Sequence, residues 1–130
     1  MSLTAGKILV VDDDQGMLDT LMDVLSATGY ETSVAASGNA ALEMAQAGRF
    51  DLVLMDVQMP GLNGVQVLHA LRVLHPTIVV IMMTAYTGDE LVAESQRTTG
   101  FSVLSKPLDL DQVLPLVKSI VSSRAGRGRA

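Results

Sequence analysis

The chain has no cysteine and no tryptophan. Without cysteine there are no disulfides and no thiolate metal sites, which fits a reducing cytoplasm. No apolar run approaches the roughly 20 residues a membrane span needs, and the N-terminus lacks the charged-then-apolar layout of a secretion signal. Clustered base is also missing from the body of the chain. The net charge is −5, and residues 124–130 hold three of the nine basic groups and no acid. Affinity for a phosphate backbone rests on clustered lysine and arginine, so the body is not expected to bind nucleic acid directly. The arginine-rich end, 122–130, reads as a flexible basic tail or the stub of a linker.

What remains is one small domain's worth of chain, 130 residues at 48% hydrophobic, enough to bury a core. The eight methionines are scattered and read as gap-fillers in that core. Short apolar runs alternate with amphipathic stretches. The pattern predicts strands over Lys7–Val11, Glu31–Ala35, Asp51–Met55, Ile78–Met83 and Ser102–Leu104. Between and after them it predicts helices over Gln15–Thr28, Asn39–Ala47, about Val65–Leu74, near Gly88–Thr98 and near Asp109–Val121. Gly29 and Gly48 end the first two helices, and Pro76 follows the third. Pro115 falls inside the last, where it removes an N–H and favours a kink or a delayed start.

Continuous apolar runs of this length read as strands buried on both faces, as in a parallel sheet covered by helices. Five βα units with right-handed crossovers give an α/β fold with a doubly wound five-stranded sheet, the simplest strand order being 2-1-3-4-5. That order sets the first strand beside the third. Asp12 and Asp13 end the first run, Asp56 the third, Thr84 the fourth and Lys106 the fifth. Ligands of open α/β sheets gather at the carboxyl ends of the strands. Three carboxylates, a hydroxyl and an ammonium are thereby expected on one edge.

Carboxylates held that close repel, so they either raise a pKa or recruit a cation. An all-oxygen set favours Mg²⁺, or Mn²⁺, over zinc. A carboxylate can also attack phosphorus to give an aspartyl phosphate. Such transfer asks the protein for in-line positioning and for neutralisation of charge on the equatorial oxygens. Asp14 fits better as the cap of the first helix. His69 and His75 read as partly exposed helix residues with no role in this chemistry.

Over about residues 6–121 the chain resembles the receiver domain of two-component response regulators. The motifs are Ile8-Leu9-Val10-Val11-Asp12-Asp13-Asp14, Leu54-Met55-Asp56-Val57-Gln58-Met59-Pro60-Gly61 with Gly64, Met83-Thr84-Ala85-Tyr86, and Lys106-Pro107. The resemblance implies a flavodoxin-like (βα)5 fold and a cytoplasmic phosphoacceptor signalling domain that catalyses only its own phosphotransfer and dephosphorylation. It implies that Asp56 takes a phosphoryl group from a histidine kinase or phosphotransfer protein. Asp13, Asp56 and the Gln58 main-chain carbonyl would hold Mg²⁺, with Asp12 acting largely through water. Thr84 and Lys106 would hold the phosphoryl oxygens, and the Lys106–Pro107 peptide would be cis. An output domain or a second copy would be met through the fourth helix, fifth strand and fifth helix.

The chain departs from the family's usual pattern at Val103, where an aromatic is common, and at Thr99-Gly100, where Gly-Ala is usual. Gln58 and Tyr86 occupy variable positions that border the phosphoryl group. Two other classes compete. A haloacid-dehalogenase-type phosphohydrolase would use the Asp-x-Asp spacing of Asp12-Asp13-Asp14, but Gly16 stands where Thr or Val belongs and Asp56 would be left without a role. A phosphorylation-independent interaction module would have no use for the intact acidic set.

Overall fold

The computed structural model describes residues 6–85 and 102–128. Five parallel strands, β1 (Lys7–Val11), β2 (Glu31–Ala35), β3 (Leu52–Asp56), β4 (Val79–Thr84) and β5 (Ser102–Ser105), form one sheet in the order β2-β1-β3-β4-β5. Among the described residues four helices accompany them: α1 (Gln15–Ala27), α2 (Gly38–Ala47), α3 (Gly64–Leu74) and α4 (Leu110–Gly128). The helix expected near Gly88–Thr98 lies outside the described residues, as does Tyr86.

The alternation of side chains along each strand divides the core in two. Leu9, Val11, Val53, Met55, Val80 and Met82 pack with α2 and α3 on one face. Ile8, Val10, Leu52, Leu54, Ile81 and Met83 pack with α1 and α4 on the other. Both sides of the central strands are dry, which is why their sequences are unbroken apolar runs. From α4 the fully inward residues are Val113, Val117 and Val121, spaced by four and so on a single stripe.

Element ends differ from the sequence reading in informative ways. β3 and β4 each continue one residue further and include the polar residue itself, because Asp56 pairs with Met83 and Thr84 with Ser105. α3 starts at Gly64, since Asn63 caps it reciprocally with Gln66, both bonds at 2.9 Å. The capping-box spacing is present in the sequence. α4 runs through Pro115 without ending, leaving the Asp111 carbonyl without that N–H. It also continues past Val121 to Gly128, so the backbone of 122–128 is helical where a tail was expected. Propagating a formed helix costs little per residue, and nothing from Ser122 to Ala125 breaks it.

α1 ends in a Schellman arrangement. Tyr30 N–H donates to the Leu25 carbonyl at 3.1 Å and Gly29 N–H to that of Ser26 at 3.0 Å. Gly29 has φ +106°, and a Cβ there would meet nothing within 4 Å. The cost of a side chain is therefore one of backbone conformation alone. Gly29→Ala is expected to lower stability by about 1 kcal/mol in urea unfolding while the cleft at the other end of α1 keeps its properties.

Candidate functional site

The site is assembled where strands end. β1 pairs with β3 in the register Val11↔Met55, so Asp12, one residue beyond β1, comes level with Asp56. Carboxylate oxygens of Asp12, Asp13 and Asp56 all lie within 4.8 Å of one another. Asp12 is fully buried, Asp56 nearly so, and Asp13 is exposed. β5 delivers Lys106 from the far side of β4: its N–H donates to the Thr84 carbonyl at 2.8 Å. The Lys106–Pro107 peptide that follows is cis.

Lys106 Nζ then reaches across two strands. It donates to Asp12 Oδ2 at 2.8 Å and stands 3.4 Å from Asp56 Oδ2. The second Asp12 oxygen accepts from Asp14 N–H at 3.0 Å, so both oxygens of the most buried acid are engaged. Asp56 accepts from Gln58 N–H at 3.3 Å. Its carboxylate opens, together with Gln58, Thr84, Ala85 and Lys106, into a cavity of about 160 Å³. Asp14 caps α1, accepting from Gly16 N–H at 2.9 Å.

Burial pushes the Asp56 carboxyl up from its ordinary value, and the charge of Asp12 pushes it further. Lys106 and the Gln58 N–H pull it back only in part. Desolvation opposes the charge on Lys106, but the hydrogen bond to Asp12 and the charges of both acids outweigh it, so Lys106 is raised. One ammonium answers two buried carboxylates. The unbalanced negative charge, in an all-oxygen donor set, suits a hard divalent cation.

All the residues expected at the strand ends, namely Asp12, Asp13, Asp56, Thr84 and Lys106, are brought to this edge, with Gln58 on its rim. Three features were not read from the sequence. One is the direct bond between Lys106 and Asp12. Another is the Gln58 N–H on Asp56. The third is the close approach of Gly64, already part of the Asp56 motif: its N–H donates to the Val57 carbonyl at 2.8 Å and it is pressed against the Asp56 backbone. A Cβ on Gly64 would run into the Asp56 carbonyl oxygen, and would lie 2.6 Å from Met82 Cε and 2.9 Å from Val57 Cα. A glycine eight residues after a strand-end acid, directly behind an Asn cap, is the signal that marks such an approach. Val103 is half-buried against the α2–α3 side of the core. His69 is exposed, whereas half-buried His75 caps α3 and donates from Nε2 to the Ala45 carbonyl at 2.8 Å.

The pattern of the family described as "Response regulator receiver domain" matches residues 8–118. Sporulation initiation phosphotransferase F of Bacillus subtilis (strain 168) is 38% identical over 112 residues, covering 86% of this chain and 90% of that protein. Transcriptional regulatory protein ZraR of Escherichia coli (strain K12) is 42% identical over 106 residues, covering 82% of this chain but 24% of ZraR. Among solved structures, a CheY-like response regulator receiver domain protein from Methanospirillum hungatei JF-1 superimposes with a TM-score of 0.87 at 27% identity, covering 94% of this chain and 98% of that one.

Two outcomes follow from the electrostatics and the packing. The folded state holds the Asp56 proton more tightly than the unfolded chain does, so its ionisation removes stability as pH rises from the ordinary carboxylate value through the raised one. Asp56→Asn is therefore expected to raise the melting temperature at neutral pH in cation-free buffer. Lys106, also raised, has the same sense in a higher pH window: its contribution is full below its ordinary value and is lost as pH climbs through the raised one. Gly64→Ala displaces the Asp56 backbone and is expected to destabilise by about 1–3 kcal/mol and to slow labelling of the cleft by acetyl phosphate, measured side by side with the parent.

Proposed function

This chain belongs to the receiver-domain family of two-component response regulators, and we propose that Asp56 is the residue at which it accepts a phosphoryl group. The observation that favours Asp56 over the other acids is its exposure to the cavity it shares with Thr84, Gln58 and Lys106. Asp12 is buried with both oxygens bonded, Asp13 points from the exposed rim, and Asp14 is spent as a helix cap. The donor is the phosphorylated imidazole of a histidine kinase or of a phosphotransfer protein.

In the transfer an Asp56 carboxylate oxygen attacks phosphorus in line. The new O–P bond forms as the P–N bond to the donor breaks, and the imidazole leaves. Lys106, already 3.4 Å from Asp56, turns to the equatorial oxygens, and the Thr84 hydroxyl donates to another. Asp12, Asp13, Asp56 and the Gln58 main-chain carbonyl would hold Mg²⁺, or Mn²⁺, with Asp12 acting largely through water. The cation supplies positive charge against a dianionic group entering a cleft that is already negative. Water attack on the same phosphorus later returns free Asp56, so the domain catalyses only its own modification.

The dehalogenase-type reading fares worse on geometry. It needs Asp12 as a free nucleophile and Asp14 as its acid, yet Asp12 is sealed against Lys106 and Asp14 holds α1. The signal passes from Thr84 toward the segment after β4. Val103 is short and restricted at χ1, and cannot swing as an aromatic would. The chain spans about a quarter of ZraR, a transcriptional regulatory protein. A receiver unit over 6–121 suits attachment to an output domain or pairing with a second copy. The face for either is expected at β5 and α4; the fourth helix expected beside them lies outside the described residues. No described helix is long and apolar enough to cross a membrane, and we place the domain in the cytoplasm with its donor.

Incubation with acetyl phosphate and Mg²⁺ is expected to add one phosphoryl group by intact-mass measurement. The addition disappears in Asp56→Asn and when EDTA is present. Undiminished addition to the Asp56→Asn protein would move the acceptor elsewhere.

A further inference from the structure

We propose that the edge of the sheet opposite Asp56 carries a second anion site, built around Arg72 and suited to a small oxyanion, either phosphate or a carboxylate. Arg72 lies in the last turn of α3 and is half-buried. Its Nε is buried and has no hydrogen-bond partner among the described residues. A guanidinium keeps its proton inside a protein, so this donor cannot escape its cost by neutralising. Native proteins leave few buried donors orphaned, and an ion is one of the usual reasons for the exceptions. The α3 dipole does favour positive charge at this end, but it supplies no acceptor to the N–H.

The surroundings are shaped and charged for an anion. Arg72 lines a cavity of about 240 Å³ with Thr77, Ser102 and the start of β4. An adjoining cavity of about 140 Å³ shares Pro76 and Thr77 with it and adds Arg49. No carboxylate is among the described residues lining either. His75 closes the second cavity, but its Nε2–H is committed to Ala45. Both volumes fall below the roughly 300 Å³ at which pockets for organic ligands begin, so the occupant is ion-sized. The planar guanidinium fork matches the oxygens of phosphate or carboxylate, and Ser102 lines the same cavity. β4 is 6 residues long, which separates this site from the Thr84 end by about 17 Å. Occupancy therefore leaves the Asp56 chemistry untouched.

The test is a titration of the amide spectrum at constant ionic strength, without divalent cations, using inorganic phosphate in one arm and acetate in the other. Saturable shifts at Thr77–Val80 and Ser102 are expected, and the arm that saturates at lower concentration names the ligand class. Arg72→Gln should weaken binding about tenfold or more, with the rest of the spectrum and acetyl phosphate labelling unchanged. Arg72→Lys, which keeps the charge and loses the fork, should fall between and stands in if the glutamine variant does not fold. Equal shifts in parent and Arg72→Gln, or no saturable shift with either ion, would overturn the proposal.

Discussion

The parallel pairing of β1 with β3 is the constraint on which the site depends. With Val11 opposite Met55, Asp12 has nowhere to go but beside Asp56. Two carboxylates are thereby forced into a region that both sheet faces keep dry. A slip of one residue would turn every inward side chain of β1 to the other helix layer. Because both faces are packed, by α2 and α3 on one side and α1 and α4 on the other, that slip is prohibitive. Core packing thus holds like charges together against their repulsion.

Lys106 is the fold's internal answer to that repulsion, and it is an incomplete one. It satisfies Asp12 at 2.8 Å and only approaches Asp56 at 3.4 Å. Asp56 stays raised by burial and by Asp12. An acid left in that condition, facing a small cavity, fits the acceptor role proposed for it better than one fully paired would. The helices are oriented to match. α1 and α3 begin at this edge, capped by Asp14 and Asn63, with their N-termini toward the acids. α3 ends at the other edge, where Arg72 and His75 sit.

Much of this was legible in the linear chain. Unbroken apolar runs announced strands buried on both sides, and the polar residues closing those runs announced the site. The Asn63–Gln66 spacing carried the start of α3, although the turn signals around Pro60 and Gly64 obscured it. The end of α4 was not legible. Val121 is the last residue of the buried stripe among those whose burial is described, and the sequence after it carries no apolar pattern to mark where the helix stops.

By itself the sequence determined the order of the described elements, the parallel doubly wound sheet and the identity of every acid, hydroxyl and amine at the strand ends. These depend on periodicity and on chain connectivity, which are local or nearly so. Only the tertiary structure decided which oxygen Lys106 bonds, that Asp56 and not Asp12 faces the cavity, and that Gly64 must lack a side chain so that α3 can sit on the Asp56 backbone. It also decided that Arg72 Nε is buried without an acceptor among the described residues. Each of these turns on distances between atoms far apart in the chain, set by how the two helix layers close on the sheet. No spacing along the sequence encodes them.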